Sequence, residues 1–218
     1  MSAAISIKNG LLTVAVNPHG AELVCIRDQN SVEYLWQADP KVWNRHAPVL
    51  FPIVGQVRGG CYRLGDRTFR LGQHGFARDN DFAIIARGEN RLAFELAATA
   101  ATRAMFPFEF ALRIVYALEE SSVVVRYEVE NRDRQTMPFS IGAHPGFSCA
   151  QKPGDALTDY VLEFERPESA PRYFIRDGLL AGETASVFHG DREIQITSDL
   201  FKDGALIFVS TDGHRMTL

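Results

Sequence analysis

Cysteine is scarce in this chain and badly spaced for a framework: Cys25, Cys61 and Cys149 are an odd number, far apart, with no CxxC pair among them. That pattern argues against a disulfide scaffold and a structural zinc site, and it fits a reducing, cytoplasmic setting. No apolar stretch approaches the length of a membrane span, and the opening residues MSAAISIKNG lack the basic segment and apolar run of a secretory leader. The expectation is a protein neither secreted nor inserted in a membrane. Blocks of like charge are missing too: the net charge is -4, the pI is near 5.9, and both signs are interspersed. Nothing there tracks a nucleic-acid phosphate backbone or an anionic membrane surface, so neither is expected as a partner. Internal repeats, low-complexity tracts and intervening long helices are also wanting. What remains, 218 residues with 46% hydrophobic and 23% charged content, suits one soluble globular domain with a sizeable core.

What is present is alternation. In FALRIVYAL the residues Phe110, Leu112, Ile114, Tyr116 and Leu118 fall on one face, and in SVVVRYEVE so do Val123, Val125, Tyr127 and Val129, with EESS as the hairpin turn between them. FAIIARGENRLAFEL repeats the pattern around a turn at Gly88, Glu89 and Asn90, as does LLTVAVN with AELVCIRD near the N-terminus. Only DPKVWNRH reads as a helical turn or two, capped by Asp39 with Pro40 at the first helical position. Each half-polar strand needs one face covered, so the predicted class is all-β, a large antiparallel β-sandwich. KPGDALTD, residues 152–159, is the most loop-like stretch but is too short to divide domains, and the closing HRMTL reads as the beginning of a strand.

Six histidines are the candidates for chemistry. His19, His189 and His214 sit in polar turns and read as solvated loop residues; His46, between rigid proline-bearing neighbours, reads as structural. Arg45 beside it carries a fixed fork of donors suited to sugar hydroxyls or a carboxylate. His74 in QHGFARD and His144 in AHPGF differ from the rest. Each ends a strand-like run, beside a glycine that lets backbone approach a ligand and a phenylalanine that can wall a pocket. Either could instead be a satisfied buried histidine, but as a pair they suit general acid and base work near neutral pH. No HExxH or HxH spacing supports a catalytic metal. GFSCA is close to a nucleophile elbow but lacks its final glycine and a following helix, and RGG at 58–60 opens no helix that could cradle a phosphate. Trp36, Phe76 and Phe147 are read as core packing before pocket wall.

Taken in order, VWNRHAPVLFPIVGQVRGGCY, QHGFARD and FSIGAHPGF resemble the aldose 1-epimerase (galactose mutarotase) superfamily, in particular the branch with LacX-like proteins and hexose-6-phosphate epimerases. The resemblance extends to LFKDGALIF, residues 200–208. It implies a large antiparallel β-sandwich over residues 1–218 as a single domain, and an isomerase that interconverts sugar anomers with neither metal nor organic cofactor. It implies that His144 protonates the ring oxygen and that His74 supports the same region. Arg45 is similar to the family's substrate-contacting arginine, and Gln73 and Arg78 to residues that contact the anion in the sugar-phosphate branch; for Arg78 an ordinary salt bridge with Asp79 or Asp81 is the alternative. Asp203 lies where relatives carry a sugar-binding aspartate. The implied partner is a small-molecule sugar or sugar phosphate, and a homo-oligomer is compatible with this.

One departure stands out. The family's base, a glutamate in an E-P-W-like strand after LFKDGALIF, has no counterpart before Leu218. The domain is therefore expected to be short of its C-terminal strands, with an open sheet edge. Three outcomes compete: the sequence is part of a longer enzyme, another carboxylate such as Glu109, Glu163 or Asp203 stands in, or the protein is a carbohydrate-binding module of the same fold.

Overall fold

The computed structural model describes residues 3–149, 151–152, 154–188 and 190–218, so His189 lies outside the described residues. Two compact units divide the chain, Met1–Ser148 and Cys149–Leu218.

In the first unit β1 (Ile5–Lys8), β2 (Leu12–Asn17) and β3 (Glu22–Asp28) form an antiparallel sheet. Then come the two-residue β4 (Val49–Leu50) and the hairpin of β5 (Cys61–Leu64) and β6 (Arg67–Arg70). A larger antiparallel sheet follows, built from β7 (Ala83–Arg87), β8 (Arg91–Ala97), β9 (Phe110–Glu119) and β10 (Ser122–Asn131) in the order β10-β9-β8-β7. The EESS turn falls where the alternation placed it, with Glu119 opposite Ser122. β11 (Gly142–Ala143) returns to pair with β4.

The two larger sheets face each other through one apolar cluster. Ile7, Leu12, Val14 and Val16 come from one, and Leu92, Phe94, Phe110, Leu112, Ile114, Tyr116 and Leu118 from the other. This is the expected sandwich, and its cause is the period-2 alternation: the inward face of β9 is 0–3% exposed, and each fully buried Leu, Ile or Phe contributes about 1.5–3 kcal/mol over leaving it in water. The predicted inner face of β10 is half-buried against the same core. Tyr116 satisfies its buried hydroxyl by donating to the Ala21 carbonyl at 2.7 Å, which ties the second sheet to the segment leading into β3.

Local chemistry follows expectation at one place and departs from it at another. DPKVWNRH makes the lower bound of the expected helical turn or two, a single turn in which Asp39 Oδ1 accepts from Lys41 N at 2.9 Å and the Asp39 carbonyl accepts from Trp43 N at 2.8 Å. A short helix that the sequence reading missed, α1 (Ala100–Met105), is closed by a reciprocal capping box between Thr99 and Thr102. Six residues are too few to display helical periodicity, and the box uses threonine where glutamate or glutamine is the usual signature.

The second unit centres on β12 (Val161–Phe164). The hairpin of β13 (Arg172–Arg176) and β14 (Leu179–Ala185) follows it, and β12 is flanked by β15 (Glu193–Gln195) and β16 (Met216–Thr217), both antiparallel to it. Within the closing HRMTL, Met216–Thr217 form the short strand β16, with Met216 opposite Phe164. Phe164, Phe188 and Ile194 form the core of this unit. Two buried charges hold turns by hydrogen bonds to backbone, as buried charges must. Glu168 accepts from Asp212 N and Gly213 N, each at 2.9 Å, and Arg172 donates to the Gly204 and Ala205 carbonyls at 3.0 and 3.3 Å. Among the described residues, no helix is long and apolar enough to cross a membrane.

Candidate active site

The segment Val49–Phe51 organises the site. β4 pairs with β11, setting Leu50 opposite Gly142 and Val49 opposite Ala143, so the chain leaves β11 directly into His144. The next residue, Phe51, forms a parallel bridge with Gly75, and its carbonyl accepts from Phe76 N at 2.9 Å and Ala77 N at 3.2 Å. The Phe51 side chain is fully buried against Phe76, Phe106 and Phe110, with ring centroids 6.1, 5.9 and 5.2 Å away. Core packing therefore anchors the strap on which both histidine turns hang.

The glycines of the two turns do something other than expected. Gly75 has φ +70°, and a Cβ there would lie 2.2 Å from the Phe51 carbonyl oxygen. A Cβ on Gly146 would come within 2.9 Å of the Trp43 ring and 3.1 Å of Trp36 Cβ. Both glycines admit close approach of the protein's own chain, not of a ligand. Gly146 is also pinned from both sides: its N–H donates to the His46 carbonyl at 2.8 Å, and its carbonyl accepts from Trp36 N at 2.9 Å. The phenylalanines diverge as well, since Phe76 is core while Phe147 is 55% exposed and lines a cavity. Trp36 is half-buried and donates its Nε1–H to the Trp43 carbonyl at 2.8 Å.

These constraints bring His74 and His144 together, with ring centroids 6.0 Å apart at 60°. His74 is half-buried in the left-handed region at φ +64°, while His144 is exposed and tilts against Trp43 at 5.2 Å. His144 borders a cavity of about 350 Å³, lined also by Ala47, Tyr116, Val125, Tyr127 and Phe147. A larger hollow of about 590 Å³ between the first strands and the β9–β10 turn contains neither histidine, so chemistry and not volume locates the site. Burial first, then the charges of Arg78 and His144, push the His74 pKa below the ordinary histidine value.

The predicted polar residues of the first unit form one network around Asp79. Arg45 Nη2 meets Asp79 Oδ1 at 2.6 Å, and its Nη1 donates to the Arg78 carbonyl at 3.4 Å. Arg78 Nη2 donates to the Gln73 carbonyl at 2.9 Å, and its Nε lies 3.7 Å from Asp79 Oδ2, buried and without a hydrogen-bond partner among the described residues. Burial and the neighbouring Arg45 pull the Arg78 pKa down, against Asp79 and Glu22. The salt-bridge alternative for Arg78 is thus realised with Asp79, which at the same time binds Arg45 more closely, whereas Asp81 pairs with His19 at 2.8 Å. Gln73 itself is exposed. Asp203 belongs to the second unit, where it sits exposed in the turn before Gly204. Glu109 is paired with Arg103 at 2.8 Å, and Glu163 is paired with Arg192.

Two participants escaped the sequence reading. Trp43, two residues before Arg45, packs on His144, and its place within the VWNRH motif was the only available sign. Glu22 is 9% exposed, and its Oε1 accepts from His46 N at 2.7 Å and Ala47 N at 3.0 Å, holding the segment that carries Arg45. Nothing in HGAEL distinguishes this glutamate from a solvated one.

Comparison with known proteins places the chain and its fold. A sequence profile described as aldose 1-epimerase matches residues 3–175. Chromosomal protein LacX of Lactococcus lactis subsp. lactis is 36% identical over 223 residues, spanning 98% of this chain and 75% of that protein. The crystal structure of a galactose mutarotase related enzyme from Lactobacillus acidophilus superposes with a TM-score of 0.90 at 34% identity, covering 94% of this chain and 69% of the other. A galactose mutarotase-like protein from Lactobacillus casei gives 0.86 at 33% identity, covering 95% and 72%.

Proposed function

Because this chain belongs to the aldose 1-epimerase family, we propose that it interconverts the α and β anomers of an aldohexose or hexose 6-phosphate by general acid-base catalysis. The observation that carries the reading is the convergence of two imidazoles, 6.0 Å apart, on turns strapped to one buried segment. Mutarotation needs a proton delivered to the ring oxygen and another taken up from the anomeric hydroxyl by a base, the part that the resemblance gives to a glutamate after LFKDGALIF; the ring opens, the aldehyde end rotates, the base returns its proton and the ring recloses from the other face. In this reading His144, exposed beside the cavity, protonates the ring oxygen, and His74 supports the same oxygen. Held turns suit this role, because positioned groups lose little freedom on reaching the transition state.

Arg45 and Gln73 contact the sugar, and Arg78 favours a phosphorylated hexose. The physical support is that Arg45 and Arg78 converge on one carboxylate, Asp79, and that the Arg78 guanidinium lies close enough to His74 for its charge to act on that ring. Asp203 is proposed as a sugar contact on its sequence position alone. The test is the rate of anomer interconversion, followed by polarimetry or proton NMR, for freshly dissolved α-glucose, α-galactose and glucose 6-phosphate. Acceleration is expected, and His144→Ala should lower it by about 10²- to 10⁴-fold. Saturable sugar binding by a folded protein without acceleration would refute turnover and leave a carbohydrate-binding module.

A further inference from the structure

We infer that Gly55 is a positioning residue whose backbone amide holds His74 in the Nε2–H tautomer, so that His74 serves as a neutral hydrogen-bond donor and not as a second proton-exchanging acid. The contact is reciprocal: Gly55 N donates to His74 Nδ1 at 3.0 Å, and His74 N donates to the Gly55 carbonyl at 2.7 Å. A backbone N–H has a proton to give and no lone pair to offer. The nitrogen facing it must therefore be the bare one, and a neutral imidazole then carries its proton on Nε2. Protonating Nδ1 would set two N–H groups against each other and strip the Gly55 amide of its acceptor.

Two further features bear on His74, its backbone and its charge. His74 takes φ +64°, a left-handed conformation in which histidine, asparagine and aspartate are over-represented among side-chain-bearing residues. Burial and the charges of Arg78 and His144, the groups that bear on the ring, all disfavour the imidazolium. His144 has no such backbone bond among the described residues and stands exposed. The pair is asymmetric: one ring is locked as a donor and the other is left to move the proton. The tautomer assignment stands on the Gly55 contact; its consequence for catalysis rests on the epimerase reading above.

The experiment is a two-bond ¹H–¹⁵N correlation spectrum of the whole chain labelled with ¹⁵N-histidine, with His74 assigned by the signals lost in His74→Asn. The expected result is an Nε2–H pattern with an unprotonated Nδ1, persisting at pH about 6.5 where a free imidazole is half protonated. An Nδ1–H pattern, or the averaged signal of a freely exchanging ring, overturns the proposal. Asparagine tolerates the left-handed backbone and can still accept from the Gly55 amide while lacking the Nε2 donor, so His74→Asn should fold and lose turnover by about 10²-fold. Undiminished turnover in His74→Asn would overturn the donor role. The Nε2–H pattern in a chain that turns over none of the three sugars would sink the epimerase reading while leaving the lock supported.

Discussion

Replacing Glu22 by alanine tests whether a buried carboxylate, invisible as such in the sequence, holds the Arg45 segment in place. Its Oε1 accepts two backbone amides, His46 N at 2.7 Å and Ala47 N at 3.0 Å, and Ala47 is only 8% exposed. Hydrogen bonds to a charged group contribute about 1.5–3 kcal/mol each, and a buried donor left unmatched costs about 1–3 kcal/mol. Water can reach the half-buried His46 amide more easily than that of Ala47, so the expected loss is about 2–4 kcal/mol. Glu22→Gln keeps a carbonyl oxygen in the same place and should cost about 1 kcal/mol. Urea unfolding followed by tryptophan fluorescence is the assay, since Trp36 and Trp43 both lie in this neighbourhood. A drop of 3 kcal/mol corresponds to a midpoint lowered by about 1 M or more. Because the His46 carbonyl accepts from Gly146 N at 2.8 Å, slackening should reach the His144 turn, so Glu22→Ala should lose activity that Glu22→Gln retains. Equal stability of the alanine variant and the parent, or equal damage from alanine and glutamine, would refute the reasoning.

Gly75→Ala places a Cβ 2.2 Å from the Phe51 carbonyl oxygen at φ +70°, whereas Gly55→Ala meets open space at φ +81°. Thermal melts should show the first losing about 3 kcal/mol or more and the second about 1–2 kcal/mol, the cost of left-handed backbone alone; equal losses would show that the Phe51 strap is not tight. The depressed His74 pKa has a definite sign for stability. The unfolded chain takes up the proton first, so the contribution of His74 is present above pH about 6.5 and is lost as pH falls below it toward the lower folded value. Urea midpoints at pH 8 and 5.5 should therefore fall further in the parent than in His74→Asn, and identical slopes would contradict it. Arg78→Gln should raise KM for glucose 6-phosphate about tenfold or more while changing that for glucose little, since hydrogen bonds to charged groups contribute about 1.5–3 kcal/mol; parallel changes for the two sugars would remove the phosphate preference.

The strands, their hairpin turns and the sandwich class are legible in the sequence because alternation is a local property: the polar and apolar sides of FALRIVYAL and LLTVAVN are set by residue order alone. Two histidine turns as candidates for one site are legible for the same reason, since HGF and AHPGF stand out against ordinary loop contexts. The turn after Asp39 is legible in its capping aspartate, whereas the short helix α1 is where local signals run out, because a cap made of threonine and a helix of six residues carry little periodicity. What only tertiary structure decides is everything that depends on distant partners. The close approach of His74 and His144, the division of Asp79 between two arginines, the burial of Glu22 behind Ala47 and the bare Nδ1 facing Gly55 each join residues far apart in the chain or set by a third segment's packing. A residue's type declares which bonds it can make, but its burial and its partner are properties of the folded core, and these turn an ordinary glutamate into a clamp and one of two similar histidines into a fixed donor.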